Sequence, residues 1–252
     1  MNPILLIPAR LNSSRLPQKV LADINGMPMI LQVLRNAQEA DIGPVVVAAG
    51  DQAIEDVIVQ AGGRVVMTDP SLPSGTDRIH QALGKIDPDG IYDVIINIQG
   101  DMPIFESKIV HATIRALVRI SNADWGTAAS AITDPDHFDP TSGVNKVVTS
   151  WEANGLFGRA LYFSKYPIPW GDSEVFHHIG LYSYRRASLE RFVTLPQSPL
   201  ELSERLEQLR AIEAGMRIEV ARVETVPLSV DTQRELDQIR ALGHVIKKSA
   251  IN

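Results

Sequence analysis

The residues from Ile7 to Lys19 read IPARLNSSRLPQK and place three long cations, Arg10, Arg15 and Lys19, ahead of the first acidic residue, Asp23. The chain as a whole carries a formal net charge of -6, so this local excess of positive charge runs against its average. An apolar run, ILLI, precedes the loop, and the hydroxyls of Ser13 and Ser14 lie within it. In open α/β sheets ligands bind beyond the carboxyl ends of the strands, where such a loop emerges. Each cation alone reads as a solvated surface charge. Three together, with no acid between them, suit a triphosphate whose oxygens they neutralise while backbone amides cradle it.

A second group follows the apolar run in IINIQGDMP, residues 95–103, where Gln99, Gly100 and Asp101 come before Pro103. Asp101 has two readings: a turn aspartate that accepts backbone hydrogen bonds, or a ligand of magnesium (Mg2+), which takes few carboxylates and completes its shell with water and substrate phosphates. Asp231, in PLSVDTQRELDQI, is a candidate partner. It also precedes a helix that Thr232 and Glu235 can cap, where an acid merely suits the positive helix end.

Two further stretches carry polar groups in suggestive order. In SGTDRI, residues 74–79, Ser74 or Thr76 can cap a helix, or Ser74, Gly75 and Arg78 can meet a base or ribose, with glycine permitting close approach. In HHIGLYSYRR, residues 177–186, strand alternation puts His178, Gly180, Tyr182 and Tyr184 on one face. That face lines a pocket, or His178 is a satisfied core histidine. His177 and His178 do not share a metal, since strand neighbours point in opposite directions.

The elements that must position these residues alternate. Runs at 4–7, 45–48, 65–67 and 94–98 suit buried strands, and the segments 29–40, 51–63 and 74–86 have apolar residues at helical spacing. The pattern predicts an α/β fold with a mainly parallel sheet. Residues 134–143 are turn-rich, and NKVVTSW, the Asn154-Gly155 turn and FGRALYF predict a hairpin. This makes residues 134–184 a smaller β-rich lobe inserted in one domain that spans 1–252. SPLELSERLEQLRAIEAG then predicts a single helix, capped by Ser198 and Glu201, opened by Pro199 and ended by Gly215. A strand, RIEVARV, and a last helix from about Thr232 follow.

Composition removes several classes of function. With 44% hydrophobic residues in 252, a sizeable core is expected, and zero cysteines exclude thiolate metal sites, disulfides and cysteine nucleophiles. The absence of cysteine fits a reducing cytoplasm. No apolar run approaches the ~18 residues of a membrane span. Net negative charge argues against a general nucleic-acid binder. Neither G-x-x-x-x-G-K-[ST] nor G-x-G-x-x-G occurs.

In order, and across nearly the whole chain, IPARLNSSRLPQK, MTDPSLPSGTDR, NIQGDMP, RALYFSKYPIPW, HHIGLYSYRR, SPLE, LEQLRA and VDT resemble the CMP-Kdo synthetases. These 3-deoxy-manno-octulosonate cytidylyltransferases couple CTP to the eight-carbon sugar acid Kdo ahead of lipopolysaccharide assembly. The resemblance implies a Rossmann-like nucleotidyltransferase fold of the glycosyltransferase-A-like kind, three-layered with a mixed sheet. It also implies a small lobe used in homodimerisation, magnesium dependence and a cytoplasmic location. By the same resemblance Arg10, Ser13, Arg15 and Lys19 match a triphosphate loop, and Ser74, Gly75, Arg78 and Gln99 a nucleotide pocket. Asp101 and Asp231 match two metal aspartates; His178, Tyr182, Glu207 and Gln208 match residues around the sugar acid, with Lys165 near its carboxylate.

The implied chemistry is in-line attack of the anomeric hydroxyl on the α-phosphorus of CTP, with pyrophosphate leaving, no covalent enzyme intermediate and no evident protein general base. Lys19, Arg15 and Asp101 would act at the reacting phosphates. Four departures touch the pattern: Gln18 stands where the family usually has glycine, Met102 where it has glutamate, Lys165 where it has arginine, and TSGVNKVV, residues 141–148, where it commonly has an asparagine-proline-asparagine run before VKVV. Lysine lacks arginine's bidentate fork. The acceptor alternatives are therefore 8-amino-Kdo or a nonulosonic acid, and a further alternative is a nucleotide-binding regulator without turnover.

Overall fold

The computed structural model describes residues 1–13 and 15–249, so Ser14 of the cationic loop lies outside the described residues. Two compact units are present. The first takes in residues 2–92, residues 97–107 and the chain from Pro227 onward; the second takes in Met1, residues 93–96 and residues 108–226.

In chain order the first unit runs β1 (Pro3–Ala9), the short hairpin β2 (Asp23–Ile24) and β3 (Met27–Pro28), α1 (Met29–Glu39), β4 (Val45–Ala49), α2 (Gln52–Gln60), β5 (Val65–Met67) and α3 (Gly75–Ile86). β1 and β4 pair in parallel, Leu5 against Val45 through Ala9 against Ala49, and β4 pairs in parallel with β5. Every residue of β4 is buried, which explains why VVVAA carries no polar alternation: both faces of a parallel strand are covered. α1 buries Met29, Ile30, Val33, Leu34 and Ala37, one stripe at helical spacing.

β6 (Val94–Asn97) and α4 (Ser107–Arg119) lead into the second unit, which continues with β7 (Trp125–Ala131), β8 (Lys146–Trp151), β9 (Phe157–Ser164), β10 (Phe176–Arg185), α5 (Arg186–Val193), α6 (Pro199–Glu204), α7 (Gln208–Glu213) and β11 (Ile218–Arg222). α8 (Gln233–Ser249) returns to the first unit. The α/β class holds, with parallel pairing among β1, β4 and β5 and a mixed sheet in the second unit. There β11 runs parallel to β7, while β10 pairs antiparallel with β7 and β8, and β9 antiparallel with β8 and β11.

The expected hairpin is β8 and β9, turning at Gly155 with a φ of 66°. Its strands are integral to this sheet, since β9 is hydrogen-bonded to β11; the segment 134–184 shares its sheet with β7 and β11. Gly126 lets α4 lie close on β7: a Cβ there would overlap the Thr113 carbonyl. The Thr113 and Ser183 hydroxyls, both fully buried, meet at 2.7 Å beside that contact.

The helix expected from Pro199 to Gly215 is two helices. Ser198 and Glu201 form the predicted capping box. The helix then stops at Arg205, which is left-handed (φ 57°, ψ 45°) and donates its N–H to the Glu201 carbonyl. Beyond the break the chain resumes helix at Gln208, and Leu206 and Leu209 are both in the core, at 5% and 0% exposure.

Candidate functional site

Beyond Ala9 the chain folds into a loop closed by Gln18 N–H donating to Leu11 O (3.2 Å) and anchored by Leu11 N–H donating to Asp51 Oδ2 (2.8 Å). Gln18 is left-handed, with φ 55° and ψ 25°. That geometry explains why glycine suits this position and why a side chain there carries a cost of about 1 kcal/mol. A 3-10 turn, Lys19–Leu21, follows and fixes the direction of Lys19.

Lys19 Nζ stands 2.7 Å from Asp101 Oδ2 and 2.7 Å from Asp231 Oδ1, and Arg15 Nη2 lies 2.9 Å from the same Asp231 oxygen. Burial works against the Lys19 ammonium, yet the two carboxylates outweigh it and hold its pKa above the ordinary lysine value.

Backbone pairing brings the two aspartates together. Val230 N–H donates to Asp101 O (2.9 Å) and Leu228 N–H to Ile104 O (2.8 Å), zipping the segment after β6 to the segment before α8. Beneath them Ile24, Met29, Val230, Leu236 and Ile239 form one apolar cluster, with Leu16, Ala22 and Ile104 packed against it. The chain around Lys19, Asp101 and Asp231 thus rests on a shared hydrophobic floor. At Asp231 the helix-cap reading holds: Glu235 Oε2 accepts from the Asp231 and Thr232 N–H groups (2.7 and 2.8 Å), so the cap uses Thr232 and Glu235 and leaves the Asp231 carboxylate to Lys19 and Arg15.

A cavity of about 330 Å³ opens over this cluster, lined by Arg10, Asn12, Ser13, Arg15, Lys19, Ser74, Gly75, Arg78, Gln99, Gly100, Asp101 and Asp231. Ser74 is the α3 N-cap, its Oγ accepting from Asp77 N–H at 3.1 Å, and it also faces the cavity. Gly75 and Gly100 let their segments lie close against Pro8 of β1; a Cβ on Gly100 would stand 2.7 Å from Pro8 O. Arg78 is 2% exposed and donates to Thr68 Oγ1 (2.5 Å) and the Asp69 carbonyl (3.1 Å), so most of its fork braces the 68–70 loop. Burial first, and the Arg10 charge second, lower its pKa. Gln99 Nε2 donates to Asn97 Oδ1 at 3.3 Å. Sequence reasoning missed Asn12 as a lining residue and Glu235 as the brace of Asp231; the capping pattern at Thr232 was the signal available for the second.

Among the described residues no three His, Cys, Asp or Glu side chains converge as metal ligands. The donor set nevertheless fits magnesium, because two carboxylates from different segments already meet on one positive charge and phosphate oxygens would supply the remaining hard ligands.

In the second unit His178, Tyr182 and Tyr184 share a face as the alternation predicts, with ring centroids 5.5 Å (His178–Tyr182) and 5.8 Å (Tyr182–Tyr184) apart. Trp125, unread in the sequence, packs edge-on against both tyrosines. A register irregularity between Ile179 and Ser183 frees the Ile179 and Leu181 carbonyls, and Thr127 Oγ1 lies 3.0 Å from each and 3.1 Å from His178 Nε2. His178 therefore has the partner a core histidine needs. Burial first, then neighbouring Tyr184 and Glu207, raises the Tyr182 pKa well above the usual phenol. Glu207 and Gln208 open α7, and Lys165 is half-buried just after β9.

Burial, with a smaller push from His177, lowers His178 from 6.5 to about 3, and burial lowers His177 to about 4. The unfolded chain therefore takes up protons on both rings below about 6.5 while the folded chain refuses them, so stability falls as pH drops from there toward 4. His178→Gln is expected to lose less stability than the parent between pH 7 and pH 4.5. Urea midpoints at the two pH values check this, and equal losses would show that His178 does not contribute.

A cytidylyltransferase family model matches residues 4–218. Over 241 residues the chain is 52% identical to a 3-deoxy-manno-octulosonate cytidylyltransferase of Parvibaculum lavamentivorans, covering 95% of this chain and 92% of that one. It is also 52% identical to one of Rhodospirillum centenum, covering 96% and 93%. The chain belongs to this cytidylyltransferase family. A solved CMP:2-keto-3-deoxy-manno-octonic acid synthetase complexed with CTP superposes with a TM-score of 0.87 at 34% identity, over 97% of this chain and 99% of that one.

Within this cytidylyltransferase, two of the four departures now have a local setting. Gln18 takes a backbone conformation that glycine adopts freely, and Met102 is an apolar side chain buried at 6% exposure. Lys165 and the TSGVNKVV stretch are the remaining two.

Proposed function

We propose that the chain transfers CMP from CTP to Kdo, with magnesium as cofactor. The single observation that carries this reading is the convergence of Lys19, Arg15, Asp101 and Asp231 in one cavity that Arg10, Ser13, Ser74, Gly75, Arg78 and Gln99 also line. Arg10, Arg15 and Lys19 balance the charge of the triphosphate, in a cavity that Gly75 and Gly100 also line. The anomeric oxygen of the sugar forms a bond to the α-phosphorus, the bond from that phosphorus to the bridging oxygen breaks, and pyrophosphate departs with the electron pair. The hydroxyl proton passes to solvent.

Lys19 stabilises the charge that grows on the departing group, a role that depends on an ammonium already aimed by the 3-10 turn. Asp101 and Asp231 would hold magnesium. When bound, the ion neutralises phosphate charge and favours ionisation of the attacking hydroxyl. In the second unit, His178, Tyr182, Glu207 and Gln208 are the residues that the resemblance assigns to the sugar acid, with Lys165 for its carboxylate. The segment 134–184 serves as the surface for a second copy, a homodimer lobe, supported by Leu161, Tyr166 and Trp170 exposed at 49%, 64% and 99%. No helix of the described residues is long and apolar enough to cross a membrane, and a cytoplasmic site of action fits the CTP substrate.

The test is pyrophosphate release with CTP and magnesium, using Kdo, 8-amino-Kdo and a nonulosonic acid as parallel acceptors. Preference for Kdo is expected. Preference for another acid would make Lys165 an acceptor switch, and tight CTP binding with no release for any acceptor would mark a regulator.

A further inference from the structure

Lys146, at the start of β8, has 0% of its surface exposed, yet no carboxylate forms an ion pair with it among the described residues. Its Nζ donates to three backbone carbonyls: Val144 O at 2.9 Å, Lys165 O at 2.9 Å and Asp139 O at 3.4 Å. The three donors of an ammonium are thereby used. A buried charge held this way adds little stability over an apolar side chain of the same size, so the contact is better explained by what it fixes. Across the sheet register Lys146 faces Ser164, the residue before Lys165.

Glu204, the last residue of α6, holds the preceding peptide, on the other side of the Lys165 Cα. Its Oε2 accepts the Lys165 N–H at 3.4 Å, and both its oxygens stand 3.0 Å from Ser164 Oγ. Tyr162 OH adds a donor at 3.3 Å, and Ser164 Oγ in turn accepts the Tyr166 N–H at 3.1 Å. Residue 165 is thus gripped at its N–H by an acid and at its carbonyl by a base.

We infer that Lys146 and Glu204 are positioning residues for acceptor recognition: together they fix the backbone of residue 165 and so aim the Lys165 ammonium at the carboxylate of the sugar acid. The inference rests on the reading of Lys165 given above. It also supplies a reason for the clamp. An arginine brings a preorganised planar fork to a carboxylate, whereas a lysine is a point charge on a flexible stem; with lysine at 165, order must come from the backbone that carries it.

The test is steady-state kinetics with CTP and Kdo varied separately, on the parent, Glu204→Gln, Lys146→Met, Lys165→Met and the Glu204→Gln/Lys165→Met pair. Glu204→Gln keeps the shape but loses the charge-assisted bonds, and is expected to raise the KM for Kdo about tenfold, with kcat and the KM for CTP within about twofold of the parent. In the Lys165→Met background the same change is expected to add nothing, because the group it positions is gone. Should Lys146→Met fail to fold, the Glu204→Gln cycle alone decides. Equal shifts in the two KM values, or effects of Glu204→Gln and Lys165→Met that simply multiply, overturn the clamp. A parent that releases no pyrophosphate with Kdo removes the acceptor reading itself, a failure distinct from that of the clamp in an active parent.

Discussion

Lys19→Met is expected to lower turnover about 10²- to 10³-fold, the scale on which removal of a preorganised charge donor acts. The ammonium has two tasks. It meets Asp101 and Asp231 at 2.7 Å each, and under the proposed function it would also offer positive charge to the phosphates. Methionine matches its length and apolar stem, so the floor made by Ile24, Met29, Val230, Leu236 and Ile239 stays packed. What changes is charge: two carboxylates that shared a cation now face each other. Magnesium is therefore expected to raise the melting temperature of Lys19→Met more than that of the parent, since an added cation replaces the missing one. Pyrophosphate release and thermal melting with and without magnesium check the two parts. Parent-like turnover would remove Lys19 from the reaction, and equal magnesium shifts would remove it from the bridge.

Asp101→Asn is expected to cost at least about 10²-fold in turnover at saturating magnesium while sparing the fold. The amide keeps the carboxylate's shape, and the backbone bond that holds this segment, Val230 N–H to Asp101 O, does not involve the side chain. CTP binding is expected to persist, because Arg10, Arg15 and Lys19 remain in the cavity. Pyrophosphate assays beside circular dichroism separate lost chemistry from lost structure. Near-normal activity with an unchanged spectrum would take Asp101 out of the metal site.

The parts of the molecule legible in the sequence are those whose cause is local. Buried strands such as VVVAA, the Ser198–Glu201 capping box and the cationic run after β1 each carry their reason within a few residues. Asp231 is harder: the Thr232–Glu235 cap is visible, but that it leaves the carboxylate available depends on a bond from Glu235 to the Asp231 backbone. Arg205 breaks a helix that its neighbours' propensity favours, and its left-handed backbone has no glycine or asparagine to announce it in the sequence. Lys146 is illegible from sequence for a further reason. Its partners are carbonyls, and every residue has one.

The zipper between residues 101–104 and 228–230 also bears on how the protein is made. The Lys19–Asp101 contact spans 82 residues of chain, and the Lys19–Asp231 contact spans 212. Loop closure alone makes the second about 0.8 kcal/mol more costly than the first. As synthesis proceeds from the N-terminus, the cationic loop and Asp101 emerge well before Asp231 exists. Asp231 arrives with the segment that supplies Val230, Leu236 and Ile239, three of the five buried residues of the apolar floor. The second acid and most of the floor are therefore completed together, late in synthesis.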